Sequence, residues 1–454
     1  MLKIQFRAIF FGLFLVSTQL LTPAYGASSA PDAELSIPGP RDCFWLRGPF
    51  GADPYVNVAY PDANVYYWAA GFTTPPGARL ELVGKYPASR YMSFASYNER
   101  GRPMDSLPDF LIRPESGKNP FEAGSPRSAG KSGYRVEIVP QAPETERGIG
   151  SRQSTGDYNR LFTPPYGNGQ QQSILYRIYL PDTGKEPAGG VALPTPRLHL
   201  KDGRVLENEA ACKALRTGQL ARLTSDAMGI KAEDYRALIS QPGKPDTWPA
   251  QNPASWHIQL DRKSLLGIYT GEINESARRS TGGFFPNPDN FYIRTIVNRR
   301  HGPVFLVRAK APTTPHTASG DKSMGDGDLR YWSICSNQSF VNTRVNDCLY
   351  DEEIPRDRNG YFTVVVSRPE DRPRNANLAC GIGWLPMAAD GDGMFDKDVS
   401  IVQIRHMLPA ENFAHSIDRI ETQDQIAAVM GEYMPQTRYL QTNQVEAFFP
   451  CLGK

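Results

Sequence analysis

The segment Asp390-Gly-Asp392-Gly-Met-Phe-Asp396-Lys-Asp398 sets four carboxylates around two glycines. Hard oxygen ligands gathered on a tight turn suit Ca²⁺, so Asp390, Asp392, Asp396 and Asp398 are the candidate metal ligands. The segment lacks the bidentate Glu of an EF-hand loop and its third Asp. Asp and Gly are also ordinary turn formers, and a solvated turn accounts for the same residues. A second Asp/Gly loop, residues 320–328, reads as a long surface connection. His406 alternates with Ile404 and Leu408, which puts it on the apolar face of a strand. With Arg330 and nearby carboxylates it is the candidate acid–base group. A buried histidine held by a backbone partner is the competing reading. Trp68, Arg90, Tyr91, Tyr331 and Trp384 are candidate ligand-binding residues, since aromatic strands can line an apolar or sugar-binding concavity. Core packing also explains such aromatics. Arg90 and Arg330 can each place a guanidinium where modules meet, with Asp351, Glu352 and Glu353 as partners.

Other chemistries lack their residues. There is no G-x-S-x-G elbow, no H-E-x-x-H zinc pair and no G-x-G-x-x-G after a strand. The Gly- and Lys-containing loop 124–132 has the wrong spacing for a phosphate loop and no strand before it or helix after it. Six cysteines occur without a C-x-x-C, which disfavours a zinc ribbon or a thioredoxin-like site. Their even number permits three disulfides, and the sequence does not choose among the 15 pairings.

The elements that must hold these residues come from composition and pattern. In 454 residues, 40% are apolar and 22% charged, enough to bury a core. Gly and Pro number 40 and 39, too many for an all-helical chain. Residues 1–26 read as a signal peptide with a basic start, an apolar run and a small-residue cleavage site. Beyond its Lys3 and Arg7, 48 basic residues balance 48 acidic ones. That balance gives no footprint for nucleic acid. No later run is apolar enough for a transmembrane segment in the mature chain. The expected location is periplasmic or secreted.

Four landmarks recur in the same order. Residues 77–87 match 302–312 in length, ends and apolar middle. Arg90-Tyr91-Met-Ser93-Phe matches Arg330-Tyr331-Trp-Ser333-Ile. Gly133-Tyr134 matches Gly360-Tyr361, each opening a strand-like run. Arg177 and Arg405 each stand four residues before a proline. These runs are short, β-branched or aromatic, and end at turn residues. The expected fold is mainly β: two related antiparallel β-sandwich modules, jelly-roll-like, at 40–204 and 283–410. A helical insertion spans 205–282, and a helical tail spans 411–454 with Ile417, Ile420, Ile426 and Val429 as its stripe.

The strands at Arg90–Phe94 and Arg330–Ser333, the run from Gly360 and the Gly383-Trp384-Leu-Pro386 turn resemble bacterial proteins of domain-of-unknown-function family 1214. The resemblance is best over 290–410. It implies an exported β-sandwich protein and carries no activity. The expected function is binding of an apolar or carbohydrate-like small molecule, with a small-molecule or glycan ligand as the partner. A hydrolase or isomerase centred on His406 and Arg330 is one alternative, and an assembly module is another.

Overall fold

The computed structural model describes residues 43–52, 56–127, 130–144, 159–185, 187–218, 230–280 and 285–451. The expected signal peptide lies outside them. Nineteen strands are described. The first ten are β1 (Arg47–Phe50), β2 (Val65–Phe72), β3 (Arg79–Lys85), β4 (Ser89–Tyr97), β5 (Pro103–Pro108), β6 (Gly133–Val139), β7 (Arg160–Phe162), β8 (Gln172–Pro181), β9 (Thr195–His199) and β10 (Val205–Glu207). The others are β11 (His257–Ile258), β12 (Asn290–Asn298), β13 (Val304–Lys310), β14 (Leu329–Asn337), β15 (Val345–Tyr350), β16 (Tyr361–Ser367), β17 (Gly383–Pro386), β18 (Val399–Pro409) and β19 (Gln436–Leu440).

They form four sheets, and the orders show the duplication. The first sheet runs β1-β2-β8-β4-β5 and the third β11-β12-β18-β14-β15. The second runs β10-β9-β3-β6-β7, and the fourth, read from its far edge, β19-β13-β16-β17. Each strand of the second half thus sits where its counterpart ten labels earlier sits. Even the two parallel contacts, β6 with β7 and β16 with β17, correspond. All other ladders are antiparallel.

Each module closes a core between its two sheets. In the first, Trp45, Phe94, Tyr134 and Tyr176 pack together. In the second, Trp332, Phe362, Val364 and Ile404 do so. Burying one such side chain contributes about 1.5–3 kcal/mol. The first and third sheets are then buried a second time. Strand side chains alternate between faces. On β8, Ile174, Tyr176 and Ile178 fill the core, while Arg177 and Tyr179 face the other module's side. Strands β4, β14 and β18 are consequently buried along their whole length.

The expected module limits need correction at three points. Helix Asn208–Ala214 belongs to the first module, because Ala211 and Cys212 enter its core. Strand β11, inside the expected insertion, edges the third sheet. The tail is not one helix. Its apolar stripe is buried from short turns at Ile417–Arg419 and Ile426–Met430, and β19 then adds an edge to β13. Gly431 and Pro435 stop a helix from continuing. The insertion does hold helices Ala232–Ile239 and Arg262–Thr270, the latter capped by Asp261, which accepts from the Ser264 N–H at 2.8 Å. They cover the third sheet's outward face near Ile296 and Ile401.

Three disulfides join Cys43 to Cys212, Cys335 to Cys348 and Cys380 to Cys451. Such bonds persist in oxidising compartments. No helix among the described residues is long and apolar enough to cross a membrane. The Cys43–Cys212 bond closes the longest loop. Replacing both cysteines by Ser is expected to remove about 2–5 kcal/mol of stability, read as a lower urea midpoint.

Candidate functional site

The doubly buried faces meet through charges that the modules exchange. Arg90 of β4 donates to Asp351 of the second module at 3.0 Å, and to Glu352. Its counterpart Arg330 of β14 donates to Asp109 of the first at 3.2 Å. Each aspartate also accepts a backbone N–H of its own module, from Trp332 and Met92 respectively. The tyrosines cross likewise. Tyr91 donates to Asp289, and Tyr331 donates to Asp62. All of these groups except the half-buried Glu352 are buried. Burial outweighs the pull of Arg330 and pushes the Asp109 carboxyl up to about 6.

The central arginines also correspond. Arg177 stands opposite Tyr67 and Ser93, and Arg405 opposite Tyr292 and Ser333. Counting back from those tyrosines aligns Tyr60-Pro61-Asp62 with Phe285-Pro286-Asn287. Tyr60 and Phe285 share a left-handed backbone, φ 50° in each. Non-glycine residues adopt it at a cost. Here each presents its carbonyl to the arginine: Arg405 Nη2 donates to Tyr60 O at 2.7 Å, and Arg177 Nη2 to Phe285 O at 3.0 Å.

The two arginines then differ. Arg405 Nη1 donates to Asp62 Oδ2 at 2.9 Å and to Ser333 Oγ at 3.2 Å, beside the Cys335–Cys348 disulfide. Ser333 in turn donates to Asp62 at 2.7 Å. Arg177 has a neutral amide, Asn287, where Arg405 has a carboxylate. The Asn287 amide is engaged elsewhere: its Nδ2 donates to Tyr179 Oη and its Oδ1 accepts the Asp289 N–H. Arg177 Nη1 is buried without a hydrogen-bond partner, and so is Ser93 Oγ, the counterpart of Ser333 Oγ. The Arg177 guanidinium also lies over the rings of Tyr67 and Tyr97, 5.7 and 5.3 Å from their centroids.

A cavity of about 120 Å³ opens at Arg177 between the modules. Its walls include Phe50, Tyr67 and Leu175 from the first module and Phe285 and Tyr292 from the second. Arg47, Arg177 and Arg405 reach it, and no Asp or Glu stands among its described lining residues. Apolar walls with a few convergent polar groups are the composition of small-molecule sites.

The residues singled out from sequence fall mostly elsewhere. Trp68 is in the first module's core. Trp384 lies on the outer side of the fourth sheet, under the Arg372 guanidinium, and donates to Ser367 Oγ at 3.1 Å. Arg90, Tyr91 and Tyr331 are at the interface, committed to the contacts above. Asp351 and Glu352 meet Arg90 rather than Arg330, while Glu353 accepts the Tyr350 N–H at 3.3 Å. His406 faces the second core, where its Nδ1 accepts the Ile417 N–H at 3.3 Å. It shares no hydrogen bond with Arg330, whose partners lie in the first module.

The four loop aspartates do not converge. Asp392 Oδ1 accepts three backbone N–H groups, from Met394, Phe395 and Asp396, and its Oδ2 accepts from Tyr235. Asp390 accepts from Gln338, Asp396 accepts the Asp398 N–H, and Asp398 pairs with Arg299 and Arg300. Among the described residues, only Asp62, Cys335 and Cys348 cluster at metal-ligand spacing, and their sulfurs are joined to each other. The Asp/Gly loop is a self-capped turn. The loops 124–132 and 320–328 pair instead across the modules, through Gly124 with Met324 and Arg127 with Lys322.

Two consequences can be measured. Asp62→Ala leaves Arg405 buried and unpaired and is expected to cost about 3–5 kcal/mol in chemical denaturation. Burial holds the His406 ring down to about 3 and the His257 ring to about 4. Unfolded histidine takes its proton near 6.5. Both rings therefore add stability above that pH and lose it as pH falls toward 3. NMR across pH 5–8 is expected to show a His406 ring that does not titrate.

No family model matches the chain, and no curated protein matches it. Among solved structures, it is similar to an uncharacterised protein from Burkholderia cenocepacia. That alignment has 11% identity and a TM-score of 0.44, covering 87% of this chain and 81% of the other. It is also similar to the VPA0106 protein from Vibrio parahaemolyticus, at 10% identity and TM-score 0.37, over 84% and 90% of the two chains.

Proposed function

We propose that this chain is an exported binding protein that holds one compact, mainly apolar small molecule in the cavity between its two modules. The carrying observation is the aromatic-walled cavity itself. Its position supports the reading: the walls come from both modules, on the faces where the modules meet. A cavity of about 150 Å³ is known to admit benzene, so this one suits a single ring or a short branched chain. The acid–base alternative has less support, because His406 lies on the opposite face of its sheet and is held neutral. Membership of family 1214 belongs to the same proposal and rests on the repeated Arg-Tyr-x-Ser strands.

Thermal unfolding with p-cresol, benzamide and glucose tests the reading. A ligand at 100 times its dissociation constant adds about 2.7 kcal/mol of apparent stability. The two ring compounds are expected to raise the melting temperature, and Leu175→Trp, which fills the cavity, to abolish the rise. A response to glucose alone would redirect the proposal to sugars. Folded protein that responds to none of the probes would overturn it.

A further inference from the structure

We infer that the ligand is an acid, and that its carboxylate binds at the Arg177 guanidinium as the stand-in for an aspartate that only Arg405 retains. The inference rests on the cavity reading above and adds the charge of the occupant and the place of its head group.

The argument begins with the repeat. Asp62 satisfies Arg405 and receives Ser333 and Tyr331 as well. The first module keeps the same donors in the same register: Arg177, Ser93 and Tyr91. It receives Asn287 where Asp62 would be, and that amide turns to Tyr179 and its own backbone. Arg177 is 1% exposed, and no Asp or Glu pairs with it among the described residues. A buried cation without a counter-charge is costly to keep. Replacing it by an apolar side chain of similar volume would remove that cost. Its retention on a cavity wall is explained if an anion from outside completes it. A guanidinium N–H to a carboxylate is the charge-assisted bond best suited to the task. The rest of the cavity wall takes the apolar body, with Phe50 and Tyr67 stacked at 5.6 Å on one side. The class of ligand is thus a small aromatic or branched aliphatic carboxylate.

Calorimetry at pH 7 with isosteric pairs tests this: benzoate against benzamide, and 3-methylbutanoate against its amide. The natural chain is expected to prefer each acid by about tenfold or more, the worth of a hydrogen bond to a charged group. Asn287→Asp restores the missing counter-ion from within, and the acid-to-amide ratio should fall to about one. Arg177→Met should do the same. If Arg177→Met fails to fold, the wild-type ratio and Asn287→Asp still decide. Equal binding of acid and amide would overturn the acid assignment and leave the cavity reading intact. An acid preference that survives Asn287→Asp would overturn the placement at Arg177. Failure of every probe to bind folded protein would sink both.

Discussion

The structure depends on buried charges that cannot be satisfied within one module. Arg405 needs Asp62, Arg330 needs Asp109, and Arg90 needs Asp351. In each pair the guanidinium and the carboxylate come from different modules. Packing the modules takes these ions out of water, and burying any one of them without its partner would cost several kcal/mol. An apolar interface would bury comparable area and tolerate sliding. A guanidinium with three or four directed partners tolerates very little, so the pairs fix how the sandwiches register. The helical insertion and the paired loops 124–132 and 320–328 add to a relationship that the charges already define.

That constraint explains what was legible in the sequence. The duplication could be read because strand registers are discrete: shifting a strand by one residue exchanges its two faces. Arg90-Tyr91-x-Ser93 and Arg330-Tyr331-x-Ser333 kept their spacing, and the sheets repeat accordingly. The strand chemistry of the runs at 77–87 and 302–312 was equally plain. Pairing across modules was not. Asp62 and Asp109 lie far in sequence from Arg405 and Arg330, and no local pattern links them. A signal did exist in the alignment of Tyr60-Pro61-Asp62 with Phe285-Pro286-Asn287. It becomes visible only when the repeat is extended upstream from Tyr67 and Tyr292.

The aromatic residues and the Asp/Gly loop misled for a common reason. Type and spacing report what a side chain could do, whereas burial and partners decide what remains free to do it. Asp392 looks like an oxygen ligand in sequence, yet its carboxylate closes its own turn on three N–H groups. Gly393 has φ 70°, and a Cβ there would collide with Asn342 and Gln338. The glycine therefore serves the turn's own packing. Trp68 and Tyr331 have the right chemistry for a concavity and are already spent on a core and on an aspartate. Arg177 was the reverse case. It served only as a landmark of the repeat, although it lines the cavity and its Nη1 is a buried donor without a hydrogen-bond partner among the described residues.

The difference between Arg177 and Arg405 shows where a duplicated protein can acquire a site. Two identical modules would satisfy each other completely, and an interface complete in itself leaves no donor for a ligand. One exchange of a carboxylate for an amide breaks the reciprocity without disturbing the fold. The amide keeps the backbone turn, as the shared left-handed residues at Tyr60 and Phe285 show. It withdraws one negative charge from a place built to receive it. The second module retains the complete arrangement and anchors the interface. The first module retains the donors, of which Arg177 Nη1 and Ser93 Oγ have no hydrogen-bond partner among the described residues. The complete copy of the constellation holds the two sandwiches in place, and under the proposal above the incomplete copy is the one that would take a ligand.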